Sequence, residues 1–280
     1  MKKSIVGAAI ALSIVGLAAC TQEAKASNVS IYGQVEQSVN TGSTKAMSDD
    51  NYVGVSVSEA LSETSSAFAK IEFGVDDGTN TVTNRETYVG ITMDGITGQA
   101  GRMKNLKKTM VNGVDAFQGS SFSVGGAARA DDTLMVKGEI AGITVAASTI
   151  LDGTANADSI GETRELGASV EVQGISLSAV QTKAGSADAT MIFGAGVDVA
   201  GVNLAVSHEP DATNKTTTVV GSADFGANTV RVGNSFVDGS NNTMIAEVAH
   251  NFSKNTSVFV NHSKTENATG STQVGFAMNF

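Results

Sequence analysis

The sequence predicts an all-β protein, a 16-stranded antiparallel transmembrane β-barrel with a loop folded into its lumen. Three observations predict this fold. Segments of about 9–12 residues alternate between apolar and polar side chains from Asn28 onward. The connectors between these segments alternate in length, first long and then short. The final segment is apolar on one face only, which suits closure of a sheet in lipid, where no open edge is tolerated.

The predicted strands are rich in valine, isoleucine, threonine and phenylalanine, the residues favoured in β-structure. No helical period of useful length follows residue 26. The sixteen strands are expected at residues 28–39, 51–59, 66–75, 85–93, 97–103, 123–138, 143–151, 161–172, 175–183, 189–199, 202–209, 216–225, 228–237, 242–252, 256–264 and 270–280.

The connectors predict two unlike rims. Short turns are expected at residues 94–96, 141–142, 173–174, 200–201 and 226–227, and longer polar connectors separate the remaining strands. This asymmetry is typical of outer-membrane barrels, and an even strand number places both termini on the short-turn rim. A soluble sandwich and a β-solenoid also suit the composition, although no fixed-length repeat supports the solenoid.

The last strand carries its apolar residues at a period of two. Phe276, Met278 and Phe280 follow Val274 on one face, and small or polar residues occupy the other face. We expect the apolar face to contact lipid at the periplasmic end. We also expect this strand to pair with the first one, because a barrel must join its two edges.

The N-terminal residues predict export. Two lysines precede an apolar run at 5–19, which is too short for a membrane-spanning helix of about 20 residues. Two processing sites compete. An A-x-A site ending at Ala26 would give a signal peptide at 1–26 and a barrel domain at 27–280, and its position just before the first strand favours it. A lipobox ending at Cys20 would instead leave that cysteine lipidated.

Composition and motifs exclude several functions. The formal net charge of −10 argues against a nucleic-acid partner, which requires a basic surface. The three histidines lack metal-ligand spacing, and no nucleophile elbow or catalytic constellation is recognisable. We therefore predict no enzyme activity, no metal and no cofactor. Tryptophan is absent, so an aromatic girdle must rest on the 11 phenylalanines.

The alternation fails over one long stretch, from Arg102 to Phe122. It contains three lysines, Lys104, Lys107 and Lys108, and one aspartate, Asp115. A connector of nearly twenty residues in a compact domain is usually functional. In a wide, water-filled barrel such a loop would narrow the lumen and set its electric field.

Several motifs, in order along the chain, resemble the general trimeric outer-membrane porins of Gram-negative bacteria. NVSIYGQVEQ resembles their opening strand, and NRETYVGI followed by GQAGRMKN resembles the approach to their constriction loop. VGGAARADDTLMV resembles the strand that returns from that loop, and HNFSKNTSVFVNHS the turn between late hairpins. The resemblance implies a water-filled outer-membrane channel for small hydrophilic solutes and ions, surrounded by outer-membrane lipids and assembled as a homotrimer.

The resemblance also implies roles for particular residues. Arg85, Arg102 and Arg129 match the basic wall of the porin constriction, and Asp115 matches its facing acidic loop residue. The lysines of the loop are additional to the family pattern and leave the ion preference open. Phe280 matches the terminal aromatic residue that the barrel-assembly machinery reads, with Met278 and Phe276 on the same face.

A second interpretation belongs to a different class. An exported surface β-protein with an adhesive or binding role, anchored through lipidated Cys20, would share the leader and much of the composition.

Overall fold

The computed structural model describes residues 28–41, 46–48, 50–76, 81–111, 114, 116–118, 129–151, 160–210 and 215–280. The predicted leader at 1–26, including Cys20, lies outside these residues, as does Asp115. Within them the strands are β1 (Asn28–Asn40), β2 (Ala46–Ser48), β3 (Tyr52–Ala60), β4 (Ser65–Asp76), β5 (Thr81–Met93), β6 (Ile96–Lys104), β7 (Arg129–Ile140), β8 (Ile143–Leu151), β9 (Ile160–Val172), β10 (Ile175–Ala184), β11 (Thr190–Val199), β12 (Val202–Glu209), β13 (Thr216–Phe225), β14 (Asn228–Val237), β15 (Thr243–Ser253), β16 (Thr256–Thr265) and β17 (Ser271–Asn279). One helix, α1 (Leu106–Met110), follows β6.

The strands form one closed antiparallel sheet. Both β2 and β3 pair with β1, so they are two parts of one interrupted barrel strand, and seventeen segments make sixteen positions. The barrel closes where β1 pairs with β17, from Gln34 opposite Asn279 to Asn40 opposite Gln273. The predicted barrel and its seam are confirmed, and the sandwich and solenoid alternatives are wrong.

Among the described residues most strand boundaries lie within two residues of the predicted ones, and β5 differs more, because it begins at Thr81 rather than residue 85. Residues 123–128 of the strand predicted at 123–138 lie outside the described residues, and the described part of that strand, β7, begins at Arg129. The helix α1 was not predicted, because its five residues are too few to show a helical period. Among the residues that the structure describes, no helix is both long and apolar enough to cross a bilayer.

Four turns of the short-turn rim share one backbone conformation. Four of the predicted turns, 94–95, 141–142, 173–174 and 200–201, have positive φ at both residues, with glycine second in each. Two consecutive positive φ angles define the type I′ turn, whose twist matches that of the flanking strands. The turns predicted from sequence at these four places are therefore confirmed.

The barrel is apolar outside, as the alternation predicted. In β17, Val274, Phe276 and Met278 are exposed on the outer face, whereas Gln273 and Ala277 are buried on the inner face. The aromatic residues also divide between the two faces. The phenylalanines exposed on the outer surface are Phe73, Phe193, Phe225, Phe236, Phe252, Phe276 and Phe280. The three tyrosines all point inward, so the outer girdle is made of phenylalanine.

Candidate pore constriction

The chain leaves the barrel wall after β6 and passes through the lumen. The Asn105 side chain accepts a hydrogen bond from the Lys108 N–H at 2.9 Å and caps α1. The residues after this cap that are buried are Leu106, Met110, Val111, Val114 and Phe117. We call residues 106–118 the inward segment.

One side of the barrel wall forms an apolar seat for the inward segment. The wall residues that pack against it are Met135, Ala146, Val180, Ile192, Val220 and Ile245, from six strands between β7 and β15. Glycines make room for the closest contacts. A Cβ atom at Gly167 would lie 2.3 Å from the Met110 sulfur, and one at Gly194 would lie 2.9 Å from a Val111 methyl group.

Buried carboxylates hold both ends of the inward segment. Glu165 on β9 accepts a hydrogen bond from the Leu106 backbone N–H at 2.8 Å and another from Ser148 at 3.0 Å. At the other end, Glu247 on β15 accepts from the Gln118 backbone N–H at 2.8 Å and forms an ion pair with Arg231. Hydrogen bonds to charged groups are stronger than neutral ones, so these two residues fix the path of the segment.

Another part of the wall carries a network of charges. We call it the acid–base cluster, and it consists of Lys70, Glu72, Arg85, Glu86, Lys104 and Arg129. Glu72 binds Arg85 at 2.8 Å, Lys70 at 3.2 Å and Arg129 at 3.5 Å. Glu86 binds Lys70 at 3.0 Å, and it lies 3.6 Å from Arg129 and 4.0 Å from Lys104.

The cluster is layered, with its cations toward the lumen. The side chains of Glu72 and Glu86 are 4 % exposed, whereas those of the four cations range from 17 % to 45 %. Tyrosines flank this layer. The Tyr32 hydroxyl donates to Glu72 at 3.0 Å, and the Arg85 guanidinium carbon lies 4.6 Å from the centre of the Tyr52 ring. Water in the lumen therefore meets positive charge above a buried acidic layer.

A β-bulge brings Arg85 into this layer. Glu72 is opposite Glu86, whereas the next residue, Phe73, is opposite Asn84, so Arg85 is the extra residue. A regular strand would direct Arg85 and Glu86 to opposite faces, but a bulge re-aims side chains. Here both side chains lie in the cluster. Arg85 binds Glu72 and also forms an ion pair with Asp50, and Glu86 binds Lys70.

The predicted constriction residues do not all meet. Arg85, Arg129 and Lys104 lie together in the acid–base cluster. Arg102 instead binds Asp131 at 2.8 Å, beside a backbone bulge at which Gly101 has a φ of +134°. Lys107 points elsewhere, 3.4 Å from Glu209 at the end of β12.

Lys108 connects the inward segment electrostatically to the cluster. Partial burial lowers the pKa of its ammonium group, and the positive charges of Lys104 and Arg129 lower it further. Because Lys104 on β6 and Arg129 on β7 act on the Lys108 charge, the segment presents a cation to the cluster.

Sequence reasoning missed Lys70, Glu72 and Glu86. For the first two a signal was present, because they alternate with Ile71 and Phe73 and so had to lie on the inner face. Glu86 had no such signal, because the β-bulge at Arg85 interrupts the alternation and a period of two cannot predict a bulge. Glu165 and Glu247 also lie on inner faces, but their partners come from far along the chain.

The histidines lie on the outer face, and each has a hydrogen-bond partner on the adjacent strand. His208 bonds to Thr217, His250 to Asn228 and His262 to Thr272, all at 2.8–2.9 Å. Over the described part of the chain, no group of three or more histidine, cysteine or acidic side chains could hold a metal ion.

Comparisons with known proteins agree with this geometry. The family model described as Gram-negative porin matches residues 8–270. None of the curated proteins compared with the chain matches it.

Solved structures share the fold at low sequence identity. The trimer form of OmpT, an outer membrane protein of Vibrio cholerae, is 12 % identical, with a TM-score of 0.73. The match covers 91 % of this chain and 100 % of that one. A mutant of the Rhodobacter blastica porin is 18 % identical, with a TM-score of 0.72 and the same two coverages. The family match spans nearly the whole chain, and we conclude that this protein belongs to the Gram-negative porins and forms a channel in the outer membrane.

Proposed function

We propose that the protein is a passive diffusion channel for small hydrophilic solutes and ions, and that its constriction lies between the inward segment and the acid–base cluster. The layering of the cluster carries this proposal. Cations exposed toward the lumen, with Lys108 facing them, create a positive region that every permeating solute must pass. Polar solutes align with such a field, whereas apolar solutes must displace ordered water.

The same layering predicts an anion preference. The described cluster has four cations and two carboxylates, and the carboxylates are buried beneath the cations. Purified protein in planar bilayers should give stepwise conductance and, in a salt gradient, a reversal potential of the sign for anions. A verified insertion without conductance would contradict the channel, and a cation-selective potential would contradict the assignment of the cluster.

We also propose a homotrimer. The support is the neighbour whose structure is a trimer form and whose fold this chain shares. Sedimentation of the detergent-solubilised protein before and after heating should give a mass three times that of the heated chain. A monomeric mass in mild detergent would contradict it.

Phe280 is proposed to act in assembly, with Met278 and Phe276 beside it. Gly33 and Phe280 exchange two backbone hydrogen bonds of 3.1 Å across the barrel seam, and the Phe280 ring covers Gly33. Deleting Phe280 should therefore lower the yield of folded protein in the outer membrane before it changes conductance. Replacing it with tyrosine retains the ring and serves as the control. An unchanged yield after the deletion would remove this role.

A further inference from the structure

A polar cavity lies on the inner wall near the short-turn rim, over β13–β15 and the turn that follows them. It has a volume of about 440 Å³, within the range of about 300–1,000 Å³ that is usual for ligand sites. All of the residues that line it are polar or charged, and we call them the polar alcove. They are Ser222, Asp224, Thr229, Arg231, Asn251, Ser253 and Lys254. The alcove shares no residue with the acid–base cluster.

The alcove opens into the lumen, because its residues continue the inner faces of their strands. On β13, Val220 is buried against the inward segment, and Asp224 follows on the same face at a period of two. On β14, Thr229 is buried whereas Val232 is exposed on the outer face, so Arg231 also points inward. A solute that crosses the lumen toward the short-turn rim therefore passes the alcove.

The charged groups of the alcove are held in place by neighbouring side chains. The Thr229 hydroxyl donates to the Asp224 carboxylate at 2.6 Å, and the Asn251 amide donates to the Thr229 oxygen at 3.1 Å. Arg231 forms an ion pair with Glu247, a buried residue that also binds the end of the inward segment. Groups that are already fixed lose little freedom when a ligand binds, so this arrangement favours recognition of a small solute.

Opposite charges lie near each other in the alcove without forming an ion pair. Asp224 is opposite Thr229, and Arg231 is two residues further along β14 on the same face. Diagonal neighbours of this kind are about 7–8 Å apart. Among the residues that the structure describes, no ion pair joins Asp224 to Arg231, and Lys254 has no acidic partner. The alcove therefore has an acceptor for a positive group and, nearby, donors for a negative one.

We propose that the polar alcove binds a small polar α-amino acid in its zwitterionic form. Asp224 accepts hydrogen bonds from the ammonium group of the ligand, and Arg231 and Lys254 donate to its carboxylate. Both ligand groups are attached to one carbon atom, so two charge-assisted hydrogen bonds of about 2.8 Å span the diagonal gap. The polar lining favours a polar side chain on the ligand. This inference rests on the proposed function, because it names one class of hydrophilic solute for the channel.

The binding experiment uses the folded barrel in a nonionic detergent and three probes of matched shape. L-asparagine carries both head-group charges, succinamic acid lacks its ammonium group, and β-alaninamide lacks its carboxylate. Ligand-detected NMR titrations should show millimolar binding of L-asparagine. Each analogue should bind roughly tenfold more weakly, because it has lost one hydrogen-bonded charged group.

Variants at exposed positions test which residues hold each end of the ligand. Asp224→Asn should weaken L-asparagine binding roughly tenfold without weakening that of succinamic acid. Lys254→Gln should weaken both of these probes but not β-alaninamide. Asp198→Asn on β11 and Lys137→Gln on β7 are matched controls, because both residues line the lumen away from the alcove, and they should bind L-asparagine as the wild type does. Heat-dependent gel mobility verifies that each variant is folded.

Recordings in planar bilayers separate this inference from the proposed channel. L-asparagine added on the side of the short turns should reduce the mean current through the wild type, and less so through Asp224→Asn. Normal conductance with equal binding of the three probes would overturn the amino-acid site and leave the channel in place. Equal loss of binding in Asp224→Asn and Asp198→Asn would overturn it as well. The full binding pattern without any conductance would support the alcove and contradict the channel.

Discussion

One side of the inner wall is covered by the inward segment, and the other side faces water. On the covered side, inward positions carry apolar residues such as Val180 and Ile192, with single carboxylates at the two ends of the segment. On the open side, inward positions carry the acid–base cluster. The outer face is apolar around both sides. The difference therefore comes from what each inner surface contacts, because burying a charge without a partner is costly whereas water stabilises it.

The largest effect should come from placing a charge on the inward segment where it packs against the apolar seat. Leu106→Asp puts a carboxylate at a fully buried position, whose backbone N–H is bound by Glu165. An unpaired buried charge beside another carboxylate costs about 3–5 kcal/mol, enough to release the inward segment. Single-channel conductance should rise, roughly twofold, because the lumen of a sixteen-stranded barrel is wide.

Thr109→Asp supplies the matched control, because residue 109 is exposed on the same helix. It should leave conductance near the wild-type value. If Leu106→Asp folds and inserts with unchanged conductance, the inward segment does not limit the pore.

The next effect concerns charge on the open side. Arg129→Glu changes the cluster by two units and places a third carboxylate beside Glu72 and Glu86. At an effective dielectric constant of about 20, one unit charge acts on an ion about 10 Å away with about 1.7 kcal/mol, so a change of two units amounts to about 3.4 kcal/mol before screening by salt. The cation-to-anion permeability ratio should therefore rise by more than tenfold, since about 1.4 kcal/mol corresponds to a factor of ten.

Arg102→Glu provides the comparison. Arg102 binds Asp131 and the Asn84 carbonyl oxygen rather than the buried carboxylates, so its reversal should shift the salt-gradient potential less. Equal shifts for both variants would mean that Arg102 lines the constriction as fully as Arg129 does.

Replacing a buried glutamate by glutamine on each side of the inner wall tests whether only the open side sets the ion selectivity. Glu72→Gln removes one buried negative charge under the exposed cations, so anion preference should increase by about half the free-energy change of Arg129→Glu. Glu165→Gln removes an equally buried carboxylate from the covered side, and there the selectivity should not change. Reversal potentials of the two variants decide this, and a larger shift for Glu165→Gln would contradict the division of the wall.

The barrel could be predicted from sequence because its main determinant is local. Alternation at a period of two fixes which face meets lipid, and pairs such as Ala141-Gly142 fix the turns. The constriction was harder to predict, because it depends on a bulge and on contacts between residues far apart in the sequence. The Arg85 bulge breaks the period, and the partners of Glu165 and Glu247 are 59 and 129 residues away in sequence. An inner face with apolar residues, as at Val180, was the sequence signal that another segment covers it.

The smallest effect should be a pH dependence carried by Lys108. Burial and the charges of Lys104 and Arg129 lower its pKa from the ordinary value of 10.5. A lysine is charged below its pKa, so its positive charge should disappear as the pH rises through a value lower than that of a free lysine. Anion preference should then decline at a pH where ordinary lysines remain charged. Lys108→Gln should remove this decline, while Lys107→Gln, whose side chain binds Glu209, should retain it. A decline that persists unchanged in Lys108→Gln would assign the titration to another group and would show that the charge of Lys108 does not act on permeating ions.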